Sequence, residues 1–462
     1  MLDDLKTRNT PFILSHSNGA GLLMLKKFFL LTIAICITFL IASCGLYKGK
    51  FDQENGRFNG PNDFVLQLDD DGRFLDSSVA AKALQRISEE SNRTNTIVLL
   101  FIHGWHHNAK FDDPNAMDFA DSLADTRQLL DDNTGGKPGI YRKSRQLLTT
   151  DPDVNVISIY VGWRGRSLPT VFDYLTFWSR KPAAERVGSG DLKQFLMNLN
   201  AIYVDRNLVK DGATQQKRFM GLVSFGHSFG GQVLFKAVAD TLEKNLEIAA
   251  AGKSATGRAQ KPVQGFGDLT VLINPAFEAN QFQHLHELSQ KLSFGVDQAP
   301  LLLVLSSQTD KARQFFFPKA QIIAGWFRSD LENVDRQLWR TALGEYEPQR
   351  THSLHIGPGG TGLNPALYSD KACSTFDLDL TNLPAFGNVD LVPLGNVPIA
   401  PFRPYVVAYA DSDIVIGHNG IFKGPLRMFL SDYVAISEGR RMLRASPLIR
   451  SLCEIAKLQP GA

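Results

Sequence analysis

Six short runs of Val, Ile, Leu and aromatic residues recur along the chain, separated by longer helical or polar stretches. Each run is almost unbroken in apolar residues, which is typical of a β-strand covered by helices on both faces. Strands that alternate with helices imply right-handed crossovers, and therefore a parallel, doubly wound α/β sheet. The runs are Ile97–Ile102, Val154–Tyr160, Met220–Phe225, Leu269–Ile273, Leu301–Leu305 and Tyr405–Tyr409.

Two further elements are predicted before the first of these runs. Residues 64–75 alternate around the turn Asp70-Asp71-Gly72, which favours a β-hairpin. The segment Ser77–Ser91 begins with serine caps and keeps its apolar residues on one face, which predicts a helix.

The composition is that of an ordinary globular protein. Of 462 residues, 44% are hydrophobic and 21% charged, which excludes a collagen, a small disulfide scaffold or a largely disordered chain. The net charge is +2, and beyond residue 43 the basic and acidic residues balance. No net field therefore attracts nucleic acid, which we do not expect as a partner.

The N-terminal region has the features of an export signal. Met24 is followed by a basic pair, Lys26-Lys27, and then by an apolar stretch that is too short to span a bilayer as a structural helix. The residues before Cys44, Ile41-Ala-Ser, resemble a bacterial lipobox. The resemblance implies a lipid on Cys44 and, since no Asp follows it, an outer-membrane protein of the bacterial cell envelope that faces the periplasm or the exterior. An uncleaved N-terminal anchor helix is the alternative.

Export would leave two thiols, Cys373 and Cys453, in an oxidising compartment. They are a possible disulfide, but two unrelated small apolar side chains explain them as well, because the sequence gives no distance between them.

The clearest chemical motif is Gly226-His227-Ser228-Phe229-Gly230. It follows an apolar run and precedes a helix with leucines and valine at fourfold spacing, which is the context of a nucleophile elbow. The segment resembles the α/β-hydrolase superfamily of serine esterases and lipases, and the resemblance extends over most of residues 60–440. It implies a catalytic serine, Ser228, followed along the chain by an acid and then a histidine.

Two acids compete for the second position. Asp310 follows the strand second beyond the elbow, where the superfamily commonly places its carboxylate. Glu278 follows the strand before it, a place that some lipases use. Asp310 is favoured, because a short side chain at a strand end is well fixed, and Glu278 stays as the alternative acid.

His418 is the favoured base. It stands after the last apolar run and just before a helix, which is the superfamily's position for the catalytic histidine. His352 and His355 are rivals in a loop-rich stretch. Asp411 and Asp413 either orient the ring or belong to a turn.

The run ending at Ile102 continues as His103-Gly104-Trp105-His106-His107 and resembles the superfamily's oxyanion loop. The backbone N–H groups of Trp105 and Phe229 would form the oxyanion hole, and Gly104 would let that backbone approach. The histidines at i, i+3 and i+4 also suggest a metal site. We expect no metal, because no acidic residue is spaced as in a zinc-binding helix.

Asp310 and His418 lie 108 positions apart in the sequence, far more than one connecting helix and one strand require. Residues 313–400 are therefore read as an insertion, either a cap over the site or an addition at the side of the sheet. The predicted organisation comprises a leader (1–43, with 1–23 a possible over-extended start and 24–43 the signal peptide), a tether (44–61), the first part of the core (62–312), the insertion (313–400) and the last strand with a C-terminal helix (401–462).

The predicted function is that of a lipid-anchored serine hydrolase, which cleaves small-molecule or lipid esters through an acyl-enzyme and needs no cofactor. An acyltransferase, thioesterase or peptidase would use the same residues. A non-catalytic cell-envelope interaction protein on the same fold is the alternative from another class. The sequence leaves the oligomeric state open.

Overall fold

A computed structural model describes most of the chain, which divides into two compact units, residues 1–48 and 49–462. In the first unit only residues 27–32 are described, and they are helical. The described residues of the second unit are 51, 57–131, 153–166, 176–207, 218–294, 298–325, 335–357, 389–395, 403–422, 424–427, 429–430 and 433–434.

Two predictions concern residues outside this described part: the lipidation of Cys44 and the pairing of Cys373 with Cys453. Within the described part, none of the helices is long and apolar enough to cross a bilayer.

A nine-stranded sheet forms the centre of the second unit, in the order β1-β3-β2-β4-β5-β6-β9-β7-β8. Neighbouring strands are parallel except for β7 and β8, which pair antiparallel at one edge. The strands are β1 (Asp63–Gln67), β2 (Asn95–Ile102), β3 (Val154–Gly162), β4 (Met220–His227), β5 (Leu269–Ile273), β6 (Leu302–Ser307), β7 (His352–Ile356), β8 (Val389–Pro393) and β9 (Tyr405–Ala410).

Helices connect the strands and cover the sheet on both faces. They are α1 (Ser77–Arg93), α2 (Pro114–Asp131), α3 (Phe177–Ser189), α4 (Asp191–Asn207), α5 (Phe229–Ala251), α6 (Asn280–Gln290), α7 (Phe317–Gly325) and α8 (Arg336–Arg340). Alternate residues of β2 divide between two hydrophobic clusters. Leu100 belongs to the cluster that includes residues of α1 and α3–α7, and Phe101 to the cluster that includes residues of α2 and residues 426, 429, 430, 433 and 434. A strand buried on both faces needs this continuous apolar sequence.

The prediction of a mostly parallel α/β sheet is confirmed, and all six predicted strands lie in it. The hairpin prediction holds for its turn, where the Gly72 N–H donates to the Asp69 carbonyl at 3.2 Å. Its second arm is a single bridge between Leu68 and Phe74, while β1 itself pairs in parallel with β3.

The described parts of residues 313–400 lie in three places. Residues 335–350 contact the segment after β5, where the Leu343 N–H donates to the Phe277 carbonyl at 2.8 Å. Strands β7 and β8 extend the sheet beyond β9. Residues 315–325 pack against α3, where the Trp178 indole N–H donates to the Ala320 carbonyl at 3.2 Å and Phe316 contacts Phe177. The aromatic pair 326–327 lies outside the described residues.

Because β2, β4, β5, β6 and β9 are parallel, the segments that follow them all emerge at the same edge of the sheet. This edge brings together the loop after residue 102, the turn at residue 228 and the loops that begin at residues 274, 308 and 411.

Candidate functional site

Ser228 occupies a sharp turn between β4 and α5. Its backbone has φ 55° and ψ −122°, a conformation that residues with a side chain rarely adopt and that costs strain energy. The flanking glycines make the turn possible. A Cβ atom at Gly226 would lie 2.7 Å from the Gly230 carbonyl oxygen, and one at Gly230 would lie 2.2 Å from that of Ile102.

His418 lies between Ser228 and Asp310. Its Nε2 is 2.8 Å from Ser228 Oγ, and its Nδ1 is 2.6 Å from Asp310 Oδ2. Beside a carboxylate, Nδ1 carries the proton of the neutral ring and donates it, which leaves the Nε2 lone pair to accept the serine hydroxyl. The arrangement can therefore move a proton from Ser228 to His418.

Asp310 is fully buried. Burial alone would raise the pKa of its carboxyl group, but His418 and Arg313 outweigh this effect and hold the pKa well below its usual range. Asp310 is therefore ionised at neutral pH and can stabilise a positive charge that develops on His418.

The main chain of His418 is held by two side chains that the sequence analysis did not identify. The His418 carbonyl accepts hydrogen bonds from Asn274 Nδ2 at 2.9 Å and from His227 Nε2 at 2.8 Å. Burial lowers the pKa of His227 well below its usual value, as does the neighbouring His418, so its ring is neutral. One signal was present in the sequence, since Asn274 directly follows a buried strand at the same edge as Ser228.

The loop after β2 lies directly against the serine. A Cβ atom at Gly104 would lie 2.7 Å from Ser228 Cβ, so only glycine fits. The next residue, Trp105, stacks on Phe229 with 5.6 Å between ring centroids. Phe229 is the first residue of α5, where a backbone N–H has no carbonyl partner within the helix. The two predicted oxyanion-hole residues are thus adjacent to each other and to Ser228.

The histidines of this loop are engaged with protein groups. His103 Nε2 accepts a hydrogen bond from the Trp163 backbone N–H at 2.9 Å, and the two rings stack within 3° of parallel. Burial lowers the pKa of His103 to about 4. His107 Nδ1 lies 2.9 Å from Asp113. These contacts tie the loop to β3 and to the start of α2. No group of three or more potential ligands for a metal ion occurs within the described part of the chain.

Glu278, the alternative acid, is bound elsewhere. Its carboxylate lies 2.8 Å from Lys181 Nζ and 2.5 Å from Gln321 Nε2, so it connects α3 with α7. Burial raises the pKa of Glu278, but Lys181 more than offsets this and the net shift is downward. It is Asp310, and not Glu278, that contacts His418.

The rival histidines lie on β7. His352 Nδ1 is 2.8 Å from Thr351 Oγ1. His355 forms a second Ser–His–Asp set, with Nε2 2.7 Å from Ser353 Oγ and Nδ1 2.9 Å from Asp411 Oδ2.

This second set differs from the first in its backbone. Ser353 is in the middle of a regular strand that pairs with β8 on one side and β9 on the other. The N–H groups of such a strand are used in the ladder and are not aimed at a reacting oxygen. The set ties β7 to the loop that leads to His418. Asp413 is exposed.

Comparison with protein-family models, with curated proteins and with solved structures gives no match for this sequence. Functional inference consequently depends on the sequence motifs and on the geometry of the site.

Proposed function

We propose that the protein is a serine hydrolase that cleaves carboxylic esters, with Ser228 as nucleophile, His418 as general base and Asp310 as the orienting acid. The observation that carries the proposal is the continuous contact from Asp310 through His418 to a serine in a strained turn. Strain at such a turn is typical of a nucleophile that must project from the backbone.

The first half of the reaction forms an acyl-enzyme. Ser228 Oγ attacks the carbonyl carbon of the ester while its proton passes to His418 Nε2. Asp310 stabilises the resulting imidazolium. The negative oxygen of the tetrahedral intermediate accepts hydrogen bonds from the backbone N–H groups of Trp105 and Phe229. Collapse of the intermediate expels the alcohol, which takes the proton from His418.

The second half releases the acid. Water attacks the acyl carbon, His418 accepts its proton, and the same N–H groups stabilise the new intermediate. Ser228 then leaves with the proton from His418, and the free carboxylic acid departs. Every proton is carried by His418, and the chemistry needs no cofactor.

The topology supports an α/β-hydrolase fold. The serine follows β4, the acid follows β6 and the histidine follows β9, which is the superfamily's order along the chain. In the sheet, β6 lies between β5 and β9, so acid and histidine leave adjacent strands. Part of the insertion, at Phe316, contacts Trp105 of the oxyanion loop. This contact supports a role for residues 313–325 in shaping the substrate pocket.

Steady-state hydrolysis of p-nitrophenyl esters tests the proposal. Ser228→Ala and His418→Ala are each expected to reduce kcat by several orders of magnitude, and the double variant by about as much, because the residues act as a unit. Ser412→Ala and His284→Ala change exposed side chains and serve as controls. The assignment would be contradicted if the loss in the double variant were the product of the two single losses. It would also be contradicted if the Ser228→Ala protein kept its activity.

For localisation, we propose a lipid anchor on Cys44 in the bacterial outer membrane, on the strength of the lipobox alone. Cys44→Ser is expected to abolish incorporation of labelled palmitate and to release the protein from membranes. Cys36→Ser is the matched control, since Cys36 belongs to the leader. Continued membrane association of the Cys44→Ser protein would instead favour an uncleaved anchor helix.

A further inference from the structure

Arg313 is a fully buried arginine that the proposed mechanism does not use. Its Nε donates to Asp310 Oδ2 at 2.7 Å, the same oxygen that contacts His418. Its Nη2 lies 2.5 Å from Glu345 Oε1, and its Nη1 donates to Ser306 Oγ at 2.9 Å. A planar guanidinium is thereby fixed between the catalytic acid and a second carboxylate.

These contacts form a chain of alternating charges. It runs from His418 through Asp310, Arg313 and Glu345 to Arg350, whose Nη2 is 3.4 Å from Glu345. His418 follows β9, and Asp310 and Arg313 follow β6. Glu345 and Arg350 belong to the segment between the acid and the base.

The turn that presents Glu345 is closely packed. Gly344 has φ 87°, and a Cβ atom there would lie 1.8 Å from Ser306 Oγ. The Arg350 guanidinium lies over the Tyr409 ring, 3.6 Å from its centroid. This packing holds Glu345 against Arg313.

A carboxylate that is shared by two cations stabilises each of them less. Arg313 therefore weakens the hold of Asp310 on a protonated His418, and Glu345 restores it by neutralising Arg313. Burial raises the pKa of Glu345, although Arg313 and Arg350 oppose the shift. As the pH falls, Glu345 consequently takes up a proton before Asp310 does.

We propose that Arg313 and Glu345 are positioning residues that set how strongly Asp310 holds the protonated His418. The segment between acid and base would then tune the pH at which Ser228 is activated. This inference rests on the proposed function, because it assigns a role toward the proposed triad.

Other groups face His418 from the neighbouring elements. His227, on β4, lies 5.1 Å away between ring centroids and stays neutral because burial lowers its pKa. Asp411, on the loop that leads to His418, is engaged with His355 and with Gln308. Neither His227 nor Asp411 is altered in the variants below, so their effects on His418 cancel in the comparison.

The test measures the pH at which kcat/KM is half maximal. Removing the negative charge in Glu345→Gln should move this midpoint down by about half a pH unit or more. Removing the positive charge in Arg313→Gln should move it up, and the double variant should return it near the wild-type value. Glu347→Gln and Lys311→Gln change exposed charges in the same segments and should leave the midpoint unchanged.

A second readout separates this inference from the proposed function. The protonation of His418 is followed by NMR without substrate, so its midpoint is measured even in a protein that hydrolyses no ester. If Glu345→Gln and Arg313→Gln shift the His418 midpoint in opposite directions but the protein hydrolyses no ester, the proposed esterase function is refuted and the charge chain is retained. Equal midpoints for Glu345→Gln and Glu347→Gln would overturn the charge chain. Should Glu345→Gln not fold, Arg350→Gln provides the same test with an expected upward shift.

Discussion

The side-chain amide of Asn274 donates hydrogen bonds to the main-chain carbonyls of both His418 and Gly417, at 2.9 and 3.0 Å. Its Oδ1 accepts the backbone N–H of Ser307 at 2.9 Å. One side chain at the end of β5 thus connects the end of β6 with the loop that carries the proposed base. His418 is positioned by this contact before any substrate binds.

Asn274→Gly removes this contact at little backbone cost. Asn274 has φ 47°, a conformation that glycine adopts freely. We expect kcat to fall about tenfold with little change in KM, since a lost buried hydrogen bond is worth about 1.4 kcal/mol. Asn198→Ala, at an exposed position on α4, is the control. A folded Asn274→Gly protein with wild-type kcat would show that His418 is positioned by other contacts.

The choice of acid can be decided by two substitutions that each remove one negative charge. Asp310→Asn should lower kcat by roughly three to four orders of magnitude, because the ring loses the group that orients it. Glu278→Gln should leave kcat nearly unchanged but lower the free energy of unfolding by about 3 kcal/mol, because Lys181 loses a buried partner. Steady-state kinetics and urea unfolding of both variants provide the answer. A larger loss of kcat in Glu278→Gln than in Asp310→Asn would assign the acid to Glu278.

Buried neutral histidines make stability depend on pH. Burial lowers the pKa of both His103 and His352 to about 4 in the folded protein, below the ~6.5 of an unfolded chain. As the pH falls, the unfolded chain takes up these protons first, so stability is lost between about pH 6.5 and 4. For a fully buried ring the loss between pH 7 and 5 is about 2 kcal/mol.

His352→Gln should reduce the loss of unfolding free energy between pH 7 and pH 5 by about 1 kcal/mol. The value is smaller than for a fully buried ring because the ring of His352 is only partly buried. His284→Gln, at an exposed position, should not alter it. Urea unfolding at pH 7 and pH 5 measures the difference, and an identical loss in the wild type and both variants would exclude a contribution from His352.

The sequence predicted the sheet because the relevant signal is local. Runs such as Leu301–Leu305 are apolar throughout, and burial on both faces requires nothing more. Strands β7 and β8, which extend the sheet beyond β9, were missed because each is only five residues long and β7 carries polar residues such as His352 and Ser353.

At the site, residues that follow strands or mark a sharp turn could be named in advance. Ser228 and Asp310 are of this kind. The position of Asn274 after a buried strand was a signal, but the roles of Asn274 and Arg313 could not be assigned, because they depend on partners elsewhere in the chain, His418 and Glu345. The sequence gives no distance between such positions, and only the fold brings them together.

Covalent labelling by a fluorophosphonate, with the modified peptide located by mass spectrometry, shows whether Ser228 is the activated serine. The probe reacts with a serine that a base activates, and Ser228 and Ser353 both contact a histidine. One adduct is expected, on Ser228, and it should be lost in Ser228→Ala and His418→Ala but retained in Ser353→Ala. An adduct on Ser353 in the Ser228→Ala protein, or a folded wild-type protein that takes up no label, would contradict the assignment of Ser228 as nucleophile.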